Sequence, residues 1–236
     1  MSIIFSDNFP SNGPIDGSKW KFNVWTPPNG GGSFYGRTQQ RQELPTASGG
    51  VLLLKLDSYN PSDNQHVTFL GSEAITNQLF DLRSGPLAFE AQVRYQQSQR
   101  GIIGGFFTFA GPADNHDEID FEAMSNRFDH MQTNIYHNEP LGQGDPISYP
   151  LTSPLDQFHT YRIEWRSNEV RWLIDGKAVR TETARVPTKP MAMHFNIWAP
   201  PSEWPTGDAS LRPASNAAQN KSYFFDVKTV KVETIA

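Results

Sequence analysis

Apolar residues along this chain recur with a period of two far more often than with a period near 3.6. Alternating runs cover 50–56, 73–80, 87–95, 102–109, 118–123, 131–137, 159–166, 169–174, 191–198 and 223–232. Successive side chains on a β-strand point to opposite faces, so each run predicts a strand with one face buried. Gly and Pro, 18 of each, are spread throughout and separate the runs with turn signals. Many short strands between turns predict an all-β sandwich or barrel. Asp175-Gly176 lies between two such stretches and reads as a hairpin turn. No internal repeat or Pro/Ser-rich linker interrupts the pattern, so residues 1–236 are expected to form one domain. Trp20 and Trp25 are expected to pack, and 57–66 to form a solvated polar loop. The Gly-rich stretch 26–32 reads equally as a loop approaching a ligand or as a connector. The long aperiodic stretch 199–222 has the length of a functional loop.

Composition narrows the function. At 37% hydrophobic and 12% aromatic residues, the chain is suited to a folded core. A net charge of −5 with no basic stripe argues against a nucleic-acid partner. The chain has no cysteine, which excludes disulfides, thiolate metal sites and a cysteine nucleophile. No apolar run approaches the length of a transmembrane helix, so no membrane partner is expected. The opening residues, Met1-Ser2-Ile3-Ile4-Phe5-Ser6-Asp7, lack the basic and apolar regions of a signal peptide.

One run carries candidate chemistry. In Glu118-Ile119-Asp120-Phe121-Glu122, acidic and apolar residues alternate, so a strand would set three carboxylates on one face and Ile119 and Phe121 in a core. Like charges and partial burial raise a carboxyl pKa. One group can then stay protonated while another is ionised, the division of labour that glycoside hydrolysis requires. The same alternation also describes an ordinary half-solvated strand, and that reading stays open at this point. The flanking segments 104–112 and 132–138 add aromatic and amide side chains, the stacking surfaces and hydrogen-bond partners a sugar needs.

Asp117-Glu118-Ile119-Asp120-Phe121-Glu122 resembles the Glu-x-Asp-x-Glu signature of family 16 glycoside hydrolases. Its setting is similar too: Phe106-Phe107-Thr108-Phe109-Ala110-Gly111-Pro112 before it, and Gln132-Thr133-Asn134-Ile135-Tyr136 after it. His159 to Trp165, Val170 to Gly176, and Asn196-Ile197-Trp198 followed by Trp204 resemble further segments of that family in the right order. The resemblance is clearest over about 87–205 and again near 223–232. It implies a jelly-roll sandwich, concanavalin A-like, of two curved antiparallel sheets with the cleft on the concave face. It implies a retaining endo-hydrolase of β-glucan, with Glu118 as nucleophile, Glu122 as acid/base and Asp120 assisting between them. The regular spacing, without an extra residue before Glu122, is similar to licheninases, xyloglucan-active enzymes and fungal transglycosylases, and the flanking segments lean towards licheninases. A transglycosylase or a hydrolase of another β-glycan on the same scaffold is the alternative; a non-catalytic sugar-binding module has no need of three adjacent carboxylates.

By the same resemblance, Asn134, Tyr136, Asn196, Trp198 and Trp204 would bind sugar, with Glu73, Phe107, Phe109, His116 and Asn29 as further candidates. Core packing competes for the aromatics, and burial beside a backbone amide competes for Asn134 and Asn196. The chain departs from licheninases at His116, where they usually carry Trp, and at Ile75, where they usually carry Arg. It also lacks their disulfide. No cofactor is expected for catalysis. A structural Ca²⁺ held at Asn8, Gly50 and Asp226 is an expectation of the resemblance, and oxygen ligands suit that ion. The partner implied is a β-glucan polysaccharide or oligosaccharide, bound by a monomer. The resemblance implies a secreted or periplasmic protein, and the cytoplasm stays open because the sequence opens without a signal peptide.

Overall fold

The computed structural model describes residues 1–23, 36–62 and 67–236. Among them are seventeen strands, numbered in chain order, and two short 3-10 turns. They form two sheets packed face to face, a β-sandwich. The first sheet runs β12 (Ile147–Pro150), β11 (His130–Glu139), β10 (His116–Met124), β9 (Ile103–Ala110), β16 (Ala192–Trp198), β7 (Phe69–Thr76) and β3 (Trp20–Lys21). The second runs β15 (Lys177–Glu182), β14 (Val170–Ile174), β13 (His159–Trp165), β8 (Leu87–Tyr95) and β17 (Ser222–Thr234). Beyond β17 lie β6 (Val51–Asp57) against its first half and β1 (Ile3–Asp7) against its second. The neighbours pair antiparallel, and β4 (Thr38–Gln40) runs parallel to the start of β7.

The alternation seen in the sequence becomes the inside and outside of this sandwich. On β10, Ile119, Phe121 and Ala123 are buried in the core. On β13, Tyr161, Ile163 and Trp165 face them from the other sheet. The Phe121 and Tyr161 rings meet at 5.0 Å across the interface. Removing such a ring, as in Phe121→Ala, typically costs about 3–5 kcal/mol. Two buried polar groups also span the layers. Tyr95 donates its hydroxyl to Ala123 O at 2.6 Å, and Trp172 donates Nε1–H to Asp120 O at 3.0 Å. The backbone of the acidic strand is therefore fixed from behind. Asp175 and Gly176 both adopt positive φ (50° and 79°), the left-handed pair that a tight hairpin between β14 and β15 requires.

The structure corrects the sequence expectations in three places. The run 73–80 starts earlier, at Phe69, and ends at Thr76. There the Thr76 hydroxyl donates to Gln78 O and the chain turns, leaving Phe80 only an isolated bridge to Met191. The stretch 57–60 is not solvated: Ser58 and Asn60 are 1% and 3% exposed. Asn60 donates to Val67 O at 2.7 Å, and Asp57 is tied to Arg41, Lys55 and Ser222, so polar partners replace water. Third, β1, β12 and several two- or three-residue strands were not visible, because segments that short carry too few alternations to register. Trp20 is buried as expected, while Trp25 and residues 63–66 lie outside the described residues.

Candidate active site

Strand register sets the candidate residues in three rows across one face of the first sheet. Gln132, Glu122, Gly105, Asn196 and Glu73 stand side by side. Next come Asn134, Asp120, Phe107, His194 and Ile75, then Tyr136, Glu118, Phe109 and Ala192. Because i, i+2 and i+4 share a face, the acids point away from the core that Ile119 and Phe121 fill. One hollow is lined by Glu118, Asp120, Glu122, Phe107, Asn196 and Trp198. Gly105 is needed here: a Cβ at that position would come within 2.6 Å of Asn196 Oδ1.

The three carboxylates differ electrostatically. Burial raises the Glu122 carboxyl to about 7; the Gln132 amide, donating at 2.6 Å, opposes this and the Glu118 charge adds to it. Burial drives Asp120 well above the usual carboxylate range, helped by the charges of Glu118 and Glu122 and by a hydrogen bond shared with Glu118, and opposed by Arg180. Asp120 and Glu118 thus share a hydrogen bond at a place where burial disfavours charge on Asp120. Burial, with the Asp120 and Glu118 charges behind it, also raises the Tyr136 hydroxyl, so Tyr136 stays protonated. Asp117, on the opposite side of β10, behaves differently. Burial pushes its carboxyl up, but the backbone N–H groups of Lys189, Thr188 and Asn138 outweigh that and hold it low. It clamps the loop before β16 and the end of β11 to the start of the acidic strand.

The other expected site residues gather around the acids. Trp198 is 5% exposed and meets the 41% exposed Trp204 edge to face at 6.1 Å. Asn134 donates to the Tyr136 hydroxyl at 3.3 Å. Phe107 stacks on His194 at 4.8 Å and Phe109 on His116 at 5.3 Å. Glu73 is buried and lies 2.9 Å from His194 Nδ1. A cavity of about 310 Å³ opens beside this pair, lined by Glu73, Ile75, Phe107, Phe109, Leu141 and His194. On the opposite flank, beside Gln132, a space of about 190 Å³ is lined by Arg127, His130, Ser148 and Thr206. Asn29 lies outside the described residues.

Sequence reasoning missed four contributors. Gln132 and His194 each sit two positions before a residue it did name, so the same period-two rule could have found them. Asp117 and Trp172 act through contacts 71 and 52 residues away, which no local pattern reveals.

The residues expected to hold calcium do not fit that ion as arranged. Asn8 O and Gly50 are adjacent, 3.5 Å from a Cβ built on Gly50. Asp226, the one side-chain ligand, is 1% exposed and gives one oxygen to Arg94 Nε at 3.0 Å and the other to Gln96 Nε2 at 2.8 Å. A guanidinium already neutralises it. Among the described residues, no cluster of three or more His, Asp or Glu is placed to bind a metal ion, and no helix is long and apolar enough to cross a membrane.

Comparison with known proteins gives the same picture. The family profile described as glycosyl hydrolases family 16 matches residues 34–213. A β-glucanase of Bacillus licheniformis is 31% identical over 121 residues, 50% of this chain and 49% of that protein. One from Acetivibrio thermocellus is 29% identical over 187 residues, 78% of this chain and 52% of that protein. The chain thus spans about half the length of these curated relatives. Among solved structures, a β-1,3-1,4-glucanase (lichenase) derived from a mouse hindgut metagenome superposes with a TM-score of 0.77 at 23% identity, covering 98% of this chain and 99% of that one. The laminarinase catalytic domain of Thermotoga maritima does so with a TM-score of 0.77 at 16% identity, covering 100% and 98%. These likenesses establish the jelly-roll fold.

Proposed function

The chain belongs to glycosyl hydrolases family 16, and from that premise we propose that it is a retaining endo-β-glucanase acting on β-1,3-1,4- or β-1,3-glucan. The observation that carries this reading is the placement of three carboxylates on one face of β10, with Glu122 held near 7 beside Asp120 and Glu118. A group that titrates near neutrality is suited to give and then take a proton. In the first step Glu122 protonates the glycosidic oxygen as that bond breaks, and a Glu118 carboxylate oxygen bonds to the anomeric carbon. In the second, Glu122 removes a proton from water. The water oxygen attacks the anomeric carbon, and Glu118 departs as carboxylate with inversion at each step and net retention. Asp120, hydrogen-bonded to Glu118, orients the nucleophile. Stacking surface comes from Trp198 and Trp204, and hydrogen bonds to sugar hydroxyls from Asn134, Asn196 and Glu73. The polymer-binding face is open at both flanks of the acids, which favours cleavage within a chain.

The test is product analysis on barley mixed-linkage glucan, laminarin and xyloglucan, with NMR of the first anomer released. Short oligosaccharides from mixed-linkage glucan or laminarin, appearing first as the β-anomer, are the expected result. An α-anomer appearing first would overturn the double displacement. Longer products at constant reducing-end count would instead identify a transglycosylase, in which an acceptor sugar replaces water.

A further inference from the structure

His116 is completely buried, two residues before Glu118 on the same face of β10. Its Nε2 comes 3.0 Å from Glu118 Oε2. Neither ring nitrogen, nor that carboxylate oxygen, has a hydrogen-bond partner among the described residues, so the 3.0 Å approach is a close contact not aligned as a hydrogen bond. The ring is clamped between Phe109 at 5.3 Å and Tyr136 at 4.4 Å. If this position only filled space, an apolar ring would do better, because each buried polar atom left unpaired costs about 1–3 kcal/mol. The side chain is also too deeply buried to stack on a sugar. The one polar atom it reaches is the carboxylate of the residue assigned as nucleophile.

We propose that His116 is a positioning residue whose Nε2–H aligns with Oε2 of Glu118 as charge returns to that carboxylate, so that it acts chiefly on the second half of the reaction. The proposal rests on the reading of Glu118 as nucleophile. Two neighbours then flank that carboxylate: Asp120 on one side along the strand and His116 on the other. In the glycosyl-enzyme, Glu118 is a neutral ester with one oxygen bonded to the anomeric carbon. When that bond breaks, its electron pair returns to the carboxylate, and the charge spreads over both oxygens. A donor at Oε2 stabilises the charge as it develops, so the carboxylate leaves more readily. In the resting site the two atoms touch without being aligned, so His116 gives no equal help to the first step. The titratable groups that face His116 are Glu118 on its own strand, Tyr136 and Glu139 on β11, and His194 beyond the Phe109 ring on β16. On β9 the ring meets Phe109.

The experiment compares wild type, His116→Phe and His116→Gln on an aryl β-glucan oligosaccharide with a good leaving group, using rapid mixing and intact-protein mass. Gln places an amide N–H at similar reach, whereas Phe keeps the ring packing and removes the donor. The expected result for His116→Phe is a burst of aryl alcohol, a glycosyl-enzyme visible by mass, kcat lower by roughly 10²-fold and KM lower with it. His116→Gln is expected to recover most of kcat and to lose the burst. A folded His116→Phe with no burst and no accumulated intermediate overturns the proposal, whatever its rate. If His116→Phe does not fold, a His116→Gln that accumulates the intermediate no less than expected for a lost donor also overturns it. A wild type that forms no glycosyl-enzyme on any β-glucan removes the underlying reading and the proposal together. A wild type that turns over beside a burst-free variant removes the proposal alone.

Discussion

Two clusters of glutamates sit on opposite outer faces of this sandwich, and they are built from the same sequence pattern. On β10 of the first sheet, Glu118, Asp120 and Glu122 alternate with core residues. On the second sheet, Glu90, Glu164 and Glu233 do the same on neighbouring strands. The second cluster is filled in by cations: Arg162 reaches Glu90 at 3.1 Å, Glu164 at 3.2 Å and Glu233 at 2.7 Å, and Lys231, Arg166 and Arg171 surround it. At Glu164 burial works upward, but bonds from Arg166 and Arg162 outweigh it and hold the carboxyl low. At Glu233 the bond from Arg162 leads the same downward shift. In the first cluster, Arg180 lowers Asp120 only weakly against burial and two like charges, and Glu122 rises to about 7. The difference teaches that acidic alternation is not itself a sign of catalysis. What separates a reactive cluster from a structural one is whether the rows beside it supply cations or supply aromatics and amides.

That contrast breaks most easily at the proposed nucleophile. Glu118→Gln is expected to lower kcat on the preferred glucan by at least about 10³-fold while the melting temperature holds or rises, since the Glu118 charge that works against ionisation of Asp120 and Glu122 is gone. Activity near that of wild type would place Glu118 in the same structural class as Glu90. Next in size, Glu122→Gln is expected to lose roughly 10²–10⁴-fold, the range for a general acid. Azide should restore turnover to Glu122→Ala by attacking the glycosyl-enzyme. Absence of a glycosyl azide in the product mixture would argue against the acid/base assignment.

A smaller effect is expected at Asp120. Asp120→Asn keeps a hydrogen-bond donor beside Glu118 but can no longer shed a proton. About a 10–10²-fold loss in kcat is expected, because orientation is retained and only the fine balance of charge changes. Wild-type kcat/KM should fall with rising pH around 7, as Glu122 loses the proton it must donate. An alkaline limb that stays where it is in Glu122→Gln would assign that limb to another group.

Much of this contrast was legible in the sequence, and part of it was not. The strands came from alternation, which is a local property, and the acids came with them. Asn134, Tyr136, Asn196 and Trp198 came from the resemblance, and the register sets each on the same parity of its own strand as the face it shares with the acids. The carboxylate partners were not legible. Nothing local in Leu87 to Tyr95 says that Glu90 meets an arginine 72 residues away, and nothing around Glu122 says that no arginine comes. Calcium illustrates the same limit: nothing local says that Arg94, from the adjoining strand, occupies the carboxylate of Asp226, the side-chain ligand the resemblance implies. Asn60, expected in a solvated loop, is buried for a similar reason, since its partner Val67 O lies on the returning chain.

The smallest effect sharpens the comparison by its sign. Arg162→Ala is expected to leave kcat within about twofold and to cost roughly 1–2 kcal/mol of stability, more than an exposed pair because one partly buried cation serves three carboxylates. The pH dependence then separates the clusters. Glu164 and Glu233 are held below their usual value of 4.5, so the stability they contribute is present above that pH and is lost as pH falls through their lowered folded values. Glu122 is raised from 4.5 to about 7. Between those values the native protein keeps a proton that the unfolded chain has released, so stability falls as pH rises through that window. Denaturant melts from about pH 3 to 8 should therefore show Arg162→Ala flattening the acid side and Glu122→Gln flattening the neutral side. If both substitutions flatten the same side, the two clusters are not electrostatically opposed, and the charge-partner argument for the active site loses its support.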